Sequence, residues 1–310
     1  MSRRRIVNGV CAIALVLALG AAYVVWRGAS AGTAAGGAPL DLARAGSIVY
    51  VSDDGLTRQT GSDATGPLCR RSYVAGGTLS CLYGLGPAFS SELVVYDAKS
   101  RERLRLPIWG TPSRTRVSPS GSLVAWTVFR EGDSYMADGR FSTTAGIYDL
   151  RTGEHHGSLE DYTSYVDGQV VEAADVNYWG ITFAADDLTF YATMSTGGRT
   201  RLMRGDMAAR TLTAVRENVE CPSLSPDGTR IAYKRRTGER WRLHVLDLVS
   251  GADVALAETG HVDDQPAWLP DGEIGYVKPH DGRPTVFSVP ADGSGAPRVL
   301  FAGASPAGIG

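Results

Sequence analysis

The chain has 310 residues, 43% of them hydrophobic and 21% charged, with 38 glycines and 15 prolines, a balance that excludes both disorder and a fibrous repeat. Four cysteines are too few for a disulfide scaffold, so a sizeable buried core must hold the fold. Arg3, Arg4, Arg5 and Arg27 all precede the first acidic residue, Asp41. That leaves 27 basic against 33 acidic residues from Asp41 onward and no electrostatic footprint for a nucleic acid, so none is expected as a partner.

Met1 to Arg5 is basic, and Ile6 to Trp26 is then almost unbroken in apolar and small residues, about 31 Å of helix, long enough to span a bilayer. Two readings stand. Residues 1–27 are either an uncleaved signal-anchor, with residues 6–26 in the membrane, or a signal peptide cleaved at Ala29-Ser30-Ala31, which would leave a secreted protein. Tyr23 and Trp26, suited to the far interface, and Arg27 at the end of the run favour the anchor. The basic start puts the N-terminus in the cytoplasm and the rest of the chain outside it.

Gly28 to Pro39 is rich in Ala, Gly, Ser and Thr without apolar periodicity, so residues 28–45 are expected to be a flexible tether before a domain at 46–310. Gly28-Ala29-Ser30-Ala31-Gly32 matches the G-x-S-x-G pattern but lacks the strand and helix that a nucleophile elbow requires, and it is taken as a chance match.

A self-similar unit fills the remainder. Val117-Ser118-Pro119-Ser120-Gly121, Leu224-Ser225-Pro226-Asp227-Gly228 and Trp268-Leu269-Pro270-Asp271-Gly272 each lead into an alternating apolar run. Weaker copies lie at Ala75-Gly76-Gly77 and Ala184-Ala185-Asp186-Asp187. Proline presets φ and the Asp-Gly end tolerates left-handed backbone, so each is a hairpin turn. Measured between Gly77, Gly121, Asp187, Gly228 and Gly272, the steps are 44, 66, 41 and 44 residues. Four strands per step is the spacing of propeller blades, with one insertion of about twenty residues. Ile48-Val49-Tyr50-Val51-Ser52 reads as the second strand of a blade whose first is missing. The count is then six, and Gly303 to Gly310 is expected to supply the missing innermost strand and close the ring.

The Ser-Pro-Asp-Gly turns, with His261-Val262-Asp263-Asp264-Gln265-Pro266-Ala267-Trp268 before one of them, resemble the WD40-like repeats of TolB-type six-bladed β-propellers over about Ser47 to Phe301. The resemblance implies an all-β propeller and, since TolB-type propellers take protein tails in their channel, a protein or peptide partner. It does not extend to the separate α/β domain that precedes the TolB propeller, because only the apolar segment and the tether stand before Ser47.

Innermost strands and the loops before them face the channel, which makes Arg114, Arg116, Asp175, Asn177, Glu220, Asp263, Asp264 and Gln265 the candidate ligand-binding residues. Their alternative role is to satisfy one another. The stretch from Arg130 to Asn177 carries or adjoins Tyr135, Met136, Phe141, Tyr162, Tyr165, Tyr178 and Trp179, either anchors for a partner or packing for their own blade. Cys69 and Cys81 straddle a hairpin turn almost symmetrically, and an exported chain would oxidise them to a disulfide. Cys221 is then left as a buried small hydrophobe. The cysteines have no zinc spacing and the acidic doublets Asp53-Asp54 and Asp186-Asp187 no EF-hand pattern, so neither metal nor cofactor is expected. The resulting expectation is an extracytoplasmic, membrane-tethered, non-catalytic interaction module. Its competitors are a carbohydrate hydrolase or lyase using channel carboxylates, such as Asp175 and Asp263, and a small-ligand sensor.

Overall fold

The computed structural model describes residues 20, 38–84, 90–130 and 142–310. The repeat turns close their hairpins through one recurring device. In the fifth blade Ser225 Oγ donates to Asp227 Oδ1 at 2.5 Å, the same carboxylate accepts from Thr229 N, and Gly228 N returns to Ser225 O at 2.8 Å. Gly228 takes φ +72° and Gly272 φ +79°, while Asp187 fills that place at φ +54°, as an Asp can because its short side chain bonds locally. Gly121, at φ +78°, is also tightly placed: a Cβ there would lie 2.5 Å from Gly76 O, the backbone of the neighbouring blade's turn.

Six sheets follow in chain order. Blade 1 contributes β1 (Ile48–Val51), β2 (Leu56–Gln59) and β3 (Thr65–Leu68); blade 2 is β4 (Arg71–Ala75), β5 (Thr78–Gly84), β6 (Ser90–Tyr96) and β7 (Glu102–Trp109). Blade 3 is β8 (Thr111–Val117), β9 (Leu123–Arg130), β10 (Ser142–Asp149) and β11 (His155–His156). After β12 (Thr163–Val166) and β13 (Gln169–Val170), blade 4 is β14 (Asn177–Phe183), β15 (Thr189–Thr196), β16 (Arg199–Asp206) and β17 (Thr211–Glu217). Blade 5 is β18 (Glu220–Leu224), β19 (Arg230–Thr237), β20 (Arg240–Asp247) and β21 (Asp253–Ala255); blade 6 is β22 (Ala267–Trp268), β23 (Ile274–His280), β24 (Arg283–Val289) and β25 (Arg298–Ala302). The last strand, β26 (Ala304–Gly308), returns to blade 1 and pairs antiparallel with β1, Ile48 opposite Gly308. The all-β six-bladed propeller and its closure by the chain end are therefore as expected.

The core lies between neighbouring sheets. Leu82, Leu93 and Val95 of blade 2 meet Val117, Val124 and Trp126 of blade 3, and Ala232, Leu243 and Val245 of blade 5 meet Trp268, Ile274 and Tyr276 of blade 6. In blade 1, β1 and β2 bury alternate residues, as period-2 alternation dictates, whereas β9 and β14, covered on both faces, are buried over nearly their whole length.

One expectation changes. The tether was placed at 28–45, but Leu40 and Leu42 are 3% and 5% exposed and pack with Val49, Ala307 and Ile309, while Asp41 N donates to Gln59 Oε1 at 2.9 Å. The compact unit therefore begins at Ala38. Of the two readings of the insertion, packing holds for Tyr162, Tyr178 and Trp179. Its β12 lies parallel to β17, β13 pairs with β12, and blade 4 becomes six-stranded. Tyr162 and Tyr178 are buried in the blade 3–blade 4 core, their hydroxyls bonded to His156 Nδ1 and Ser164 Oγ, and Trp179 is 7% exposed. Tyr135, Met136, Phe141 and the apolar segment at 6–26 lie outside the described residues. Among the described residues no helix is long and apolar enough to cross a membrane.

Candidate functional site

The site is built where the innermost strands begin, at the end of the blades that carries the connections before β4, β22 and β26. Arg116 on β8 is 5% exposed and reaches across the channel: its Nη2 donates to Pro266 O at 2.6 Å and to Ser223 Oγ at 3.2 Å, on blades 6 and 5. Its guanidinium also sits 4.3 Å from the Tyr73 ring of blade 2. One side chain therefore braces four blades. Arg114, two residues earlier on the same face, pairs with Asp264 at 3.2 Å, and Gln265 Nε2 donates to Pro222 O at 2.9 Å.

The remaining candidates have structural partners too. Lys234 Nζ, on a side chain 4% exposed, donates to Asp263 Oδ1 at 2.6 Å and lies over the Trp241 ring, whose Nε1 donates to Glu220 Oε1 at 2.9 Å. Burial pushes the Asp263 carboxyl up, but the Lys234 ammonium outweighs it and holds the group below the usual carboxylate range. Asp175 accepts from Thr196 Oγ1 and Gly197 N, both at 2.8 Å, and so fastens the β15–β16 turn. Asn177 Oδ1 accepts from Thr143 N and ties blade 4 to blade 3. Asp175 and Asn177 thus act as fastenings within and between blades 4 and 3.

The structure adds residues that sequence reasoning passed over. A cleft of about 770 Å³ opens between blades 6 and 1, walled by Asp53, Arg70, Arg71, Asp263, Lys278 and Arg283 among others. Beneath it a cavity of about 30 Å³ is lined by Arg71, Tyr73, Arg114, Arg116, Asp264 and Gln265. Arg71 stands on the innermost strand just before the Ala75-Gly76-Gly77 turn, the same position that singled out Arg114 and Arg116, and was readable by that rule. Arg283 and Lys278 were not, because they lie on the second hairpin of blade 6.

The cleft wall is stapled at Cys69. Cys69 and Cys81 form the expected disulfide, Cα–Cα 5.4 Å, joining the connection before β4 to β5. Cys221 is buried at φ +52°, its N–H held by Thr193 Oγ1. Among the described residues no group of three or more His, Cys, Asp or Glu side chains is arranged to hold a metal.

These features define a six-bladed, chain-end-closed β-propeller with a charged cleft between its last and first blades. The fold is TolB-like. TolB from Acinetobacter baumannii superimposes with a TM-score of 0.62 at 16% identity, over 88% of this chain and 68% of that one. A protein assigned as TolB from Agrobacterium tumefaciens gives 0.53 at 13% identity, over 84% of this chain and 90% of that one. In sequence, 73 residues are 34% identical to a TolB homolog of Chlorobium luteolum, a stretch that is 24% of this chain and 16% of that relative's length. No protein-family model matches the chain.

Proposed function

We propose that this chain is a non-catalytic interaction module, held at the outer side of the cytoplasmic membrane by residues 6–26, that receives a protein or peptide partner in the cleft between blades 6 and 1. The observation that carries the reading is the cleft itself. Its 770 Å³ falls within the range of ligand sites, and it opens beside the channel mouth. Its exposed rim presents both signs of charge, with Arg283 73% and Asp53 45% exposed in their side chains. Mixed exposed charges over a rigid floor suit orientation of a polypeptide more than chemistry on a small molecule.

The carboxylates support the non-enzymatic part. Glycoside cleavage needs one carboxylic acid kept protonated beside a second that is ionised. Asp263 is instead held ionised by Lys234, and Asp175 is occupied by a turn. The disulfide favours an oxidising compartment, in agreement with export.

The test is capture by the full-length chain, purified in mild detergent and immobilised, from detergent-solubilised envelope of its host, read by mass spectrometry. A protein retained by the wild type and lost by Arg70→Glu/Arg283→Glu, a change confined to exposed rim positions, supports the reading. Equal retention by both, or none by either, overturns it.

A further inference from the structure

The cavity under the cleft has more positive charge than its walls neutralise. The cavity lining holds Arg71, Arg114 and Arg116 with one carboxylate, that of Asp264, which is already paired with Arg114; Asp263, bonded to Lys234, acts on Arg71 and Arg114 from the adjoining cleft. The hydrogen-bond accounting is also incomplete. Arg114 uses Nη1 on Ser113 O and Nη2 on Asp264, and Arg116 uses Nη2 on Ser223 and Pro266. The Nε atoms of Arg71, Arg114 and Arg116 are all buried with no protein acceptor. A buried guanidinium donor without an acceptor is costly, and here three occur around one space. Burial, followed by the charge of Arg114, lowers the pKa of Arg71. Burial also lowers that of Arg116, against the pull of Tyr73 and Asp264 and with Arg114 adding to it, whereas at Arg114 the carboxylates, Asp264 first, outweigh burial and raise the pKa. An added negative group would relieve both strains together.

The dimensions select the anion. About 30 Å³ admits roughly two waters, a space that matches the planar CO₂⁻ group better than a tetrahedral phosphate. A carboxylate offers about four lone-pair sites to guanidinium forks. Cavity and cleft share Arg71 and Asp264 as walls, so a carboxylate seated below would leave the rest of its molecule in the cleft.

We propose that Arg71, Arg114 and Arg116 form a carboxylate-binding site at the floor of the cleft, which receives an acidic side chain or a free chain terminus of a bound peptide. The peptide as source of the carboxylate rests on the function proposed above; the anion site itself rests on the arginines alone.

The experiment uses the full-length chain in detergent, labelled with ¹⁵N-arginine, and follows the Nε–H resonances during titration with sodium formate against sodium chloride at equal ionic strength. Formate is expected to shift three Nε–H signals saturably. Arg71→Gln should weaken the apparent Kd at least tenfold, and Arg71→Lys should fall between that variant and wild type. Shifts no larger than with chloride, or tighter binding of inorganic phosphate than of formate, overturn the proposal, and unaltered formate binding in Arg71→Gln overturns the assignment of Arg71.

Three six-residue Ala/Gly peptides then compete with formate: one with a free C-terminus, one amidated, one amidated with a central Glu. Competition by the first alone identifies a terminus, and by the third an acidic side chain. Formate binding that no peptide displaces would sink the peptide source while leaving the anion site, and loss of envelope capture with formate binding intact would separate the two readings in the other direction.

Discussion

Glu258, the partner of Lys278 on the cleft wall, shows how this protein uses buried charge. It is 4% exposed and accepts from Tyr276 Oη at 2.6 Å, Lys278 Nζ at 2.5 Å and Gly260 N at 2.7 Å. Burial works to raise its pKa, and the donors, Lys278 foremost, outweigh it and leave the group below the usual glutamate range. A depressed folded-state pKa gives stability that is complete above the unfolded value and is lost as pH falls through the folded one. Glu258→Gln is therefore expected to cost about 2–3 kcal/mol at neutral pH by leaving Lys278 without its charge partner. The gap from wild type should narrow below the ordinary glutamate pKa. Urea unfolding at pH 7 and pH 3.5 checks this, and a gap independent of pH would contradict it. The residue types at the channel were legible in sequence, but their pairings were not. Arg116 finds its partners 107 and 150 residues away, and no local pattern encodes such distances. The expectation that these side chains either bind a ligand or satisfy one another divided unevenly: Glu220, Asn177 and Gln265 have protein partners, whereas the Nε atoms of Arg114 and Arg116 do not.

Hairpin turns and the disulfide make the element-scale predictions. Gly228 and Gly121 both have positive φ, but a Cβ at Gly228 meets nothing within 4 Å whereas at Gly121 it meets Gly76 O at 2.5 Å. Gly228→Ala should cost about 1–2 kcal/mol, the left-handed penalty alone. Gly121→Ala should cost clearly more, since it also forces two blades apart, and chemical denaturation of the pair should give that order. The Cys69–Cys81 bridge closes a short loop, sequence separation 12. Replacing both cysteines by serine is expected to lose about 3 kcal/mol on the chain-entropy account, visible as a lower denaturation midpoint at nearly unchanged slope. The turns were easy to read because Pro, Asp and Gly act locally. The strand β12 was not, since a parallel partner such as β17 is reached through a crossover and leaves no periodic mark of its own. Leu40 and Leu42 were missed for the opposite reason: two residues are too few to raise a composition signal above the Ala/Gly stretch before them.

For the whole molecule, the decisive device is the shared blade. β26 supplies the innermost strand beside β1, and Ala307 and Ile309 are 0% and 7% exposed between blades 1 and 2. A chain shortened to end at Ala302 is expected to keep most of its strand content by far-UV circular dichroism yet bind a hydrophobic dye and self-associate, because β1 becomes an open edge. A monomeric, dye-negative truncated form would show that the ring does not depend on its clasp. The cleft belongs to this same junction, for its walls include Val51 and Ala304, on the two strands that meet there. Sequence periodicity revealed the ring and its closing strand, while the cleft, a property of how the first and last blades meet, had no sequence signature.

The clasp also orders assembly in time. A nascent chain can pair blades 2 to 5 from neighbouring residues as they emerge, but Ile48 must wait for Gly308, a contact spanning nearly the entire chain. Until then the propeller is an arc whose first and last sheets are unfastened, and the latest native contact is also the one that shapes the ligand cleft. Long-range pairing of this kind is formed slowly and leaves strands exposed meanwhile. Binding competence should consequently appear as the final kinetic phase of refolding, after the sheets themselves have formed.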